Sequence, residues 1–364
     1  DRIVYRNLHP LDPRLSPLSE VRRELGLPQG LVPRKSEPDY ARVIVRLLRQ
    51  ARSLDAPGIS IERLAFVGDT RLNDGNAFAN ICRAGDWPGV AFIGADRDEP
   101  DRVDITDQEG RVLYVANRWR ALSDFVRYCD GRGFAFDERT AAIIDLDKTA
   151  MGARGRNDHM IDAARVEAVR RTVGNLLGAD FDSQGFQHAY DLLNQPEFHP
   201  FTSDNQDYLA YVCLVLGAGM FPLESLVTDI REDRLRTFGQ FIDWVDGRSE
   251  ELPATLREIH AAVYGLVQQG DPTPFKAFRY NEYTTTVAAM GCLGEEATVT
   301  DLLAGEIVIT QEVREVALRW QAAGVLLFGL SDKPDEASVP TADLLAKGFQ
   351  PIHRVATHAV GSRG

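Results

Sequence analysis

Four short, unbroken apolar runs, Leu64-Ala-Phe-Val67, Val90-Ala-Phe-Ile93, Ala141-Ala-Ile-Ile144 and Val325-Leu-Leu-Phe328, punctuate the chain. Continuous rather than alternating apolar runs predict strands covered on both faces, as in a parallel sheet. Helical spacing fills the intervals. Tyr40, Ile44, Leu47, Leu48 and Ala51 follow Pro38, with Arg42, Arg46 and Arg49 on the opposite, solvated face. Further helices are expected over Ala77–Ala84 and Ala121–Cys129, and a hairpin around Asp107–Gly110 with Val112–Val115 as its second arm. The first 30 or so residues are Pro-rich and predict an irregular segment with one short helix at Leu18–Leu25.

The texture changes at about residue 151. Ala163–Leu177, Tyr208–Leu216, Leu235–Val245 and Leu256–Val267 all carry helical periodicity before the strand pattern returns near residue 321. A helix at Ala342–Lys347 and a short strand at Ile352–Val355 complete the expectation. The β-α-β alternation predicts an α/β core made of residues 1–150 and 321–364, interrupted by an all-helical domain over 151–320.

Composition narrows the partners. The 364 residues carry 41 basic and 54 acidic side chains, a net charge of −13, which opposes a nucleic-acid backbone as main partner. The longest nearly unbroken apolar stretch, Tyr208–Phe221, is about 14 residues, short of the roughly 20 a membrane-spanning helix needs. Cys82, Cys129, Cys213 and Cys292 lack zinc or redox spacing and suit a reducing cytoplasm. The chain begins at Asp1 with no apolar signal core, which leaves a removed leader or tag open.

Four polar clusters close strands or precede helices of the α/β part, where open parallel sheets place their ligand sites. They are Asp145-Leu-Asp147 leading to Thr149, Gly68-Asp-Thr-Arg-Leu-Asn-Asp74, Ser331 after Phe328-Gly-Leu330, and Lys35 three residues before Pro38. Each is unremarkable alone, since Asp and Ser also cap helices and make turns. Together, carboxylates at neighbouring strand ends can share a hard divalent cation while a hydroxyl and an ammonium hold an anion. Lys333 and Lys148 compete with Lys35 for the ammonium role.

The four clusters resemble the motifs of the haloacid dehalogenase (HAD) superfamily: strand-Asp-x-Asp-x-Thr, strand-Ser, Lys before a helix, and strand-Gly-Asp with a following Asp. The resemblance covers about half the chain, residues 30–150 and 320–355. The lysine and acidic motifs here precede the two-aspartate motif, the reverse of the family order, which circular permutation explains. The resemblance implies a Rossmann-like, mainly parallel sheet sandwiched by helices, with 151–320 as a helical cap. It also implies Mg²⁺ held by Asp145, Asp69 and the backbone carbonyl of Asp147, assisted by Asp74. Asp145 is then the nucleophile, Asp147 the acid and base, and Ser331 and Lys35 the grip on phosphoryl oxygens. Thr149 is expected to hold the loop after Asp147 by a local hydrogen bond.

Asp147 directs the expectation to phosphate chemistry, because a dehalogenase has no alcohol to protonate. The substrate expected is a small phosphorylated metabolite beneath a helical lid, with Arg154, Arg156, Lys276, Arg279, Thr149 and Lys333 as candidate contacts. No histidine pair has convincing zinc spacing, and the four tryptophans read as packing residues. A phosphotransferase, a catalytically silent binding module and a metal-dependent glycosyltransferase are the competing classes.

Overall fold

A computed structural model describes residues 2–28, 30 and 32–362. Its strands are β1 (Ile3–Val4), β2 (Arg63–Gly68), β3 (Gly89–Gly94), β4 (Val103–Gln108), β5 (Arg111–Ala116), β6 (Thr140–Asp145), β7 (Ile309–Thr310), β8 (Leu326–Leu330) and β9 (Ala359–Val360). Seven of them form one sheet in the order β1-β8-β6-β2-β3-β5-β4. Every neighbouring pair is parallel except the β4–β5 hairpin. The expected α/β class and mainly parallel, Rossmann-like sheet are thus present.

The apolar runs are unbroken because alternate side chains serve two different layers. Leu64 and Phe66 of β2, Ala141 and Ile143 of β6, and Phe328 of β8 face the layer of α1 (Leu18–Leu25), α2 (Pro38–Asp55) and α3 (Asn73–Gly85). Ala65, Val67, Ala142 and Ile144 face α4 (Leu122–Gly131) and the helix Gln311–Ala322. That second cluster includes Trp119, Phe125 and Trp320, and Phe136 stacks on Trp320 with ring centroids 4.7 Å apart.

The chain divides into two compact units. One holds the described residues through Asp162, Val287–Ser338, and those from Pro351 onward. The other is Ala163–Thr286 with Val339–Gln350. The helical unit is therefore narrower than 151–320. Gln311–Ala322 buries Val313, Val316 and Trp320 against the sheet, and an amphipathic helix covering a sheet has the same periodicity as one in a bundle. Asn157 is tied to the sheet-bearing unit as well, donating to the carbonyls of Leu303 (2.9 Å) and Glu306 (3.0 Å) and accepting from Val308 N–H (3.0 Å).

In the helical unit the apolar Tyr208–Phe221 stretch supplies the helix Gln206–Gly217, whose Leu209–Val215 segment is buried. The helix Ala342–Ala346 belongs to this unit, where Tyr283 Oη donates to the Gln350 carbonyl at 2.7 Å. Two further expectations change. Ile352–Arg354 is a 3₁₀ turn rather than a strand, because Ile352 and Val355 lie three apart and close a turn through Val355 N–H to Ile352 O (3.2 Å). The strand lies further on, where β9 pairs parallel with β7. The leading segment adds β1 to the sheet edge, two residues too few to leave a periodic signal. Among the described residues, no helix is long and apolar enough to cross a membrane.

Candidate functional site

Three adjacent parallel strands, β8, β6 and β2, deliver their last residues to one edge of the sheet. Asp145 ends β6 and is in register with Leu330, so Ser331 comes one residue later on the neighbouring strand. On the other side Val67 is level with Ile144, so Gly68 stands beside Asp145 and Asp69 lies one step beyond. Parallel register alone thus assembles motifs that lie far apart in the chain. Lys35 joins them from the turn before α2, whose buried face, Tyr40 to Ala51, anchors that helix on the same side of the sheet as Phe66. The Lys35 Nζ sits 5.8 Å from the Phe66 ring centroid.

The contacts are close. Lys35 Nζ donates to Asp145 Oδ1 at 2.7 Å and to Asp74 Oδ1 at 2.5 Å. Asp74 Oδ2 accepts from Asp69 N–H (3.0 Å), Thr70 N–H (2.8 Å) and the Thr70 hydroxyl (2.9 Å). Gly68 makes this possible, since a Cβ there would stand 2.6 Å from Asp74 Cγ. Asp69 Oδ2 accepts from Arg154 Nε. One oxygen from each of Asp69, Asp74 and Asp145 lies within 4.8 Å of the others, and all three residues are buried.

Asp74 and Asp145 face the Lys35 ammonium, and Asp69 faces the Arg154 guanidinium. Burial, together with the neighbouring Asp74 charge and against the pull of Arg154, pushes Asp69 up to about 7. Burial also holds Asp145 well above the carboxylate range, opposed by Lys35 and reinforced by the charges of Asp74 and Asp69. For Asp74, burial is outweighed by Lys35 and by its hydrogen bonds, so its pKa falls to about 2. Burial likewise opposes the Lys35 ammonium, yet the Asp145 and Asp74 charges prevail and raise its pKa well above normal. Three clustered carboxylates supply hard oxygen donors of the kind that suit a hard divalent cation.

The turn after β6 is tight. Lys148 has φ +61°, Ala150 N–H donates to Asp145 O (3.2 Å), and Met151 N–H donates to Leu146 O (3.0 Å). Asp147 is half-buried in this turn, and its side chain is not one of the three clustered carboxylates. Lys148 is taken up by Asp162, both of whose carboxylate oxygens lie 2.8 Å from its Nζ. Thr149 corrects one expectation: its hydroxyl is buried without a hydrogen-bond partner among the described residues, and the loop is held instead by backbone bonds. Ser331 is buried, its N–H bound to Val4 O (3.1 Å) and its Oγ accepting Lys333 N–H (3.1 Å). Lys333 is buried next to it, while Lys35 is the lysine that the structure sets against Asp145.

The nominated arginines and lysines separate. Arg154 reaches the site through Asp69. Arg156 does not: it binds Asp96 (2.8 Å), both oxygens of Glu312 (3.0 Å each), Val360 O (3.2 Å) and Ser362 Oγ (2.8 Å), and serves as an internal tie. Within the helical unit, Arg279 is buried against Asp207 and Glu282, and Lys276 pairs with Asp271 and Thr273 at 3.0 Å each. Thr70 is the site residue that sequence reasoning passed over. Its signal was its place between Asp69 and a carboxylate four residues on, where a helix opens.

Comparison with protein-family models, with curated proteins and with solved structures finds no match to this chain. The fold and site define an α/β protein whose sheet carries a buried acidic triad, able to hold a metal ion, at the carboxyl ends of its central strands.

Proposed function

We propose that this chain is a Mg²⁺-dependent phosphohydrolase that acts on a small phosphomonoester in the cytoplasm through an aspartyl-phosphate on Asp145. The observation that carries the reading is the contact of Lys35 with both Asp145 and Asp74 beside Asp69. That residues of three of the four motifs, separated in the chain, lie together supports reading the chain as a circularly permuted relative of the HAD superfamily. In this reading the helical unit is the cap, and neither nucleic acid nor membrane is a partner.

Asp145 attacks phosphorus, an Asp145 Oδ–P bond forms, and the bond from phosphorus to the ester oxygen breaks. Asp147 gives its proton to the leaving alcohol, then accepts one from the water that cleaves the acyl phosphate and restores Asp145. Lys35 and Ser331 hold phosphoryl oxygens, positioning phosphorus and offsetting its charge. Asp69, Asp74, Asp145 and the Asp147 carbonyl would hold Mg²⁺, which supplies charge neutralisation and keeps Asp145 ionised.

The test is phosphate release from a panel of small phosphomonoesters with Mg²⁺, compared with chelated protein and with Asp145→Asn. Release lost in both controls supports the reading. Retention by Asp145→Asn removes the nucleophile, phosphoryl transfer to a second hydroxyl with little free phosphate indicates a phosphotransferase, and inactivity throughout indicates a binding module.

A further inference from the structure

Asp69 is already engaged by a side chain that has room to leave. Arg154 Nε binds Asp69 Oδ2, and its side chain is 36% exposed whereas that of Arg156 is 6% exposed. The backbone beneath it is fixed. Arg154 N–H donates to Lys148 O (2.8 Å), and Arg154 O accepts from Asp96 N–H (2.9 Å) and from the Trp119 indole (3.1 Å). Gly155 follows with φ +76°, in a place where a Cβ would stand 1.8 Å from Asp96 O. A rigid base, a long side chain open to solvent, and a partner carboxylate that belongs to a cation-competent triad make a movable counter-ion.

We propose that Arg154 is a counter-ion latch: it holds Asp69 while the triad lacks a metal ion, a divalent cation displaces it, and the freed guanidinium binds an oxygen of the anionic ligand. This rests on the reading that Asp69, Asp74 and Asp145 hold a cation. Competition and release have linked consequences. The latch weakens cation binding when no anion is present, and anion binding strengthens it, because the anion captures the competitor.

Two measurements test this. In the first, Mn²⁺ is titrated into the whole protein with and without inorganic phosphate, using wild type, Arg154→Met and Asp69→Asn. Without phosphate, Arg154→Met should bind Mn²⁺ about ten-fold tighter than wild type, and the phosphate-dependent gain seen in wild type should shrink in the variant. The second reads the wild-type Arg154 Nε–H resonance, assigned by its loss in Arg154→Met, as Mg²⁺ and then phosphate are added. The resonance should shift with Mg²⁺ and shift again with phosphate. Cation binding that Asp69→Asn abolishes but that leaves this resonance unmoved would overturn the latch alone. Absence of Mn²⁺ and Mg²⁺ binding in wild type would overturn both the latch and the metal reading beneath it.

Discussion

Replacing Lys35 by Met removes the cation that Asp74 and Asp145 share. Lys35, Asp74 and Asp145 side chains are 5%, 2% and 6% exposed or less, so water cannot take the place of the lost ammonium. Removing one partner of a buried pair costs about 3–5 kcal/mol, because the remaining charge stays desolvated. Here two carboxylates lose the partner they share. The carboxylates can relieve the strain by binding protons, which fixes the sign of the pH dependence. A group whose folded pKa is raised stabilises most below its unfolded value and loses that contribution as pH rises toward the folded one. For Asp69 this window runs from 3.8 to about 7 in the wild type; Asp145 is already raised in the same direction, and loss of Lys35 raises it further and turns Asp74 the same way. The destabilisation of Lys35→Met should therefore be larger at about pH 8 than at about pH 5.5. Urea unfolding in chelator, with ΔG taken by linear extrapolation, measures it. Asp145→Asn added to Lys35→Met should recover part of the loss, with a coupling of about 0.5–3 kcal/mol in a double-mutant cycle. A Lys35→Met protein within about 0.5 kcal/mol of wild type at pH 8 would refute the reasoning.

Other outcomes follow from single contacts. Gly68→Ala places a methyl 2.6 Å from Asp74 Cγ and should cost about 1–3 kcal/mol while weakening Mn²⁺ binding; calorimetric titration and urea unfolding check both. Asp207→Ala leaves the Arg279 guanidinium and Phe275 N–H without their carboxylate and should destabilise the helical unit by about 3–5 kcal/mol, read by urea unfolding. Glu306 is lowered to about 2 although burial opposes this, because the His358 ring, Leu293 N–H, His358 N–H and the Thr357 hydroxyl all bind it. Its stabilisation is present above its ordinary value of 4.5 and is lost as pH falls toward about 2, so thermal unfolding of Glu306→Gln should respond less to acid over that range than wild type.

Much of the sheet was legible because a strand covered on both faces has a distinctive apolar run, and its abrupt polar end marks the site edge. Asp69, Asp145 and Ser331 were readable on that ground, and Lys35 through its position before Pro38. Their meeting depends on strand order and register, which bring Leu330 level with Asp145 and Val67 level with Ile144 although each pair is far apart in the chain. What stayed hidden was the partner of each charged residue. Arg154 and Arg156 are two positions apart and equivalent in sequence, yet one faces Asp69 and the other ties Asp96 to Glu312. Gln311–Ala322 and the helices of the other unit share one periodicity while covering different surfaces, so the domain boundary could not be placed from spacing.

The most direct test of the central claim is to locate the phosphoryl group. Protein would be mixed with a phosphomonoester that it hydrolyses and quenched in acid within the first turnover, and its peptides mapped by mass for wild type, Asp147→Asn and Asp145→Asn. The account predicts a phosphoryl group on Asp145, longer-lived in Asp147→Asn because the second displacement lacks its base, and absent from Asp145→Asn. Phosphate release by Asp145→Asn at the wild-type rate, or a phosphoryl group on another residue, would contradict it.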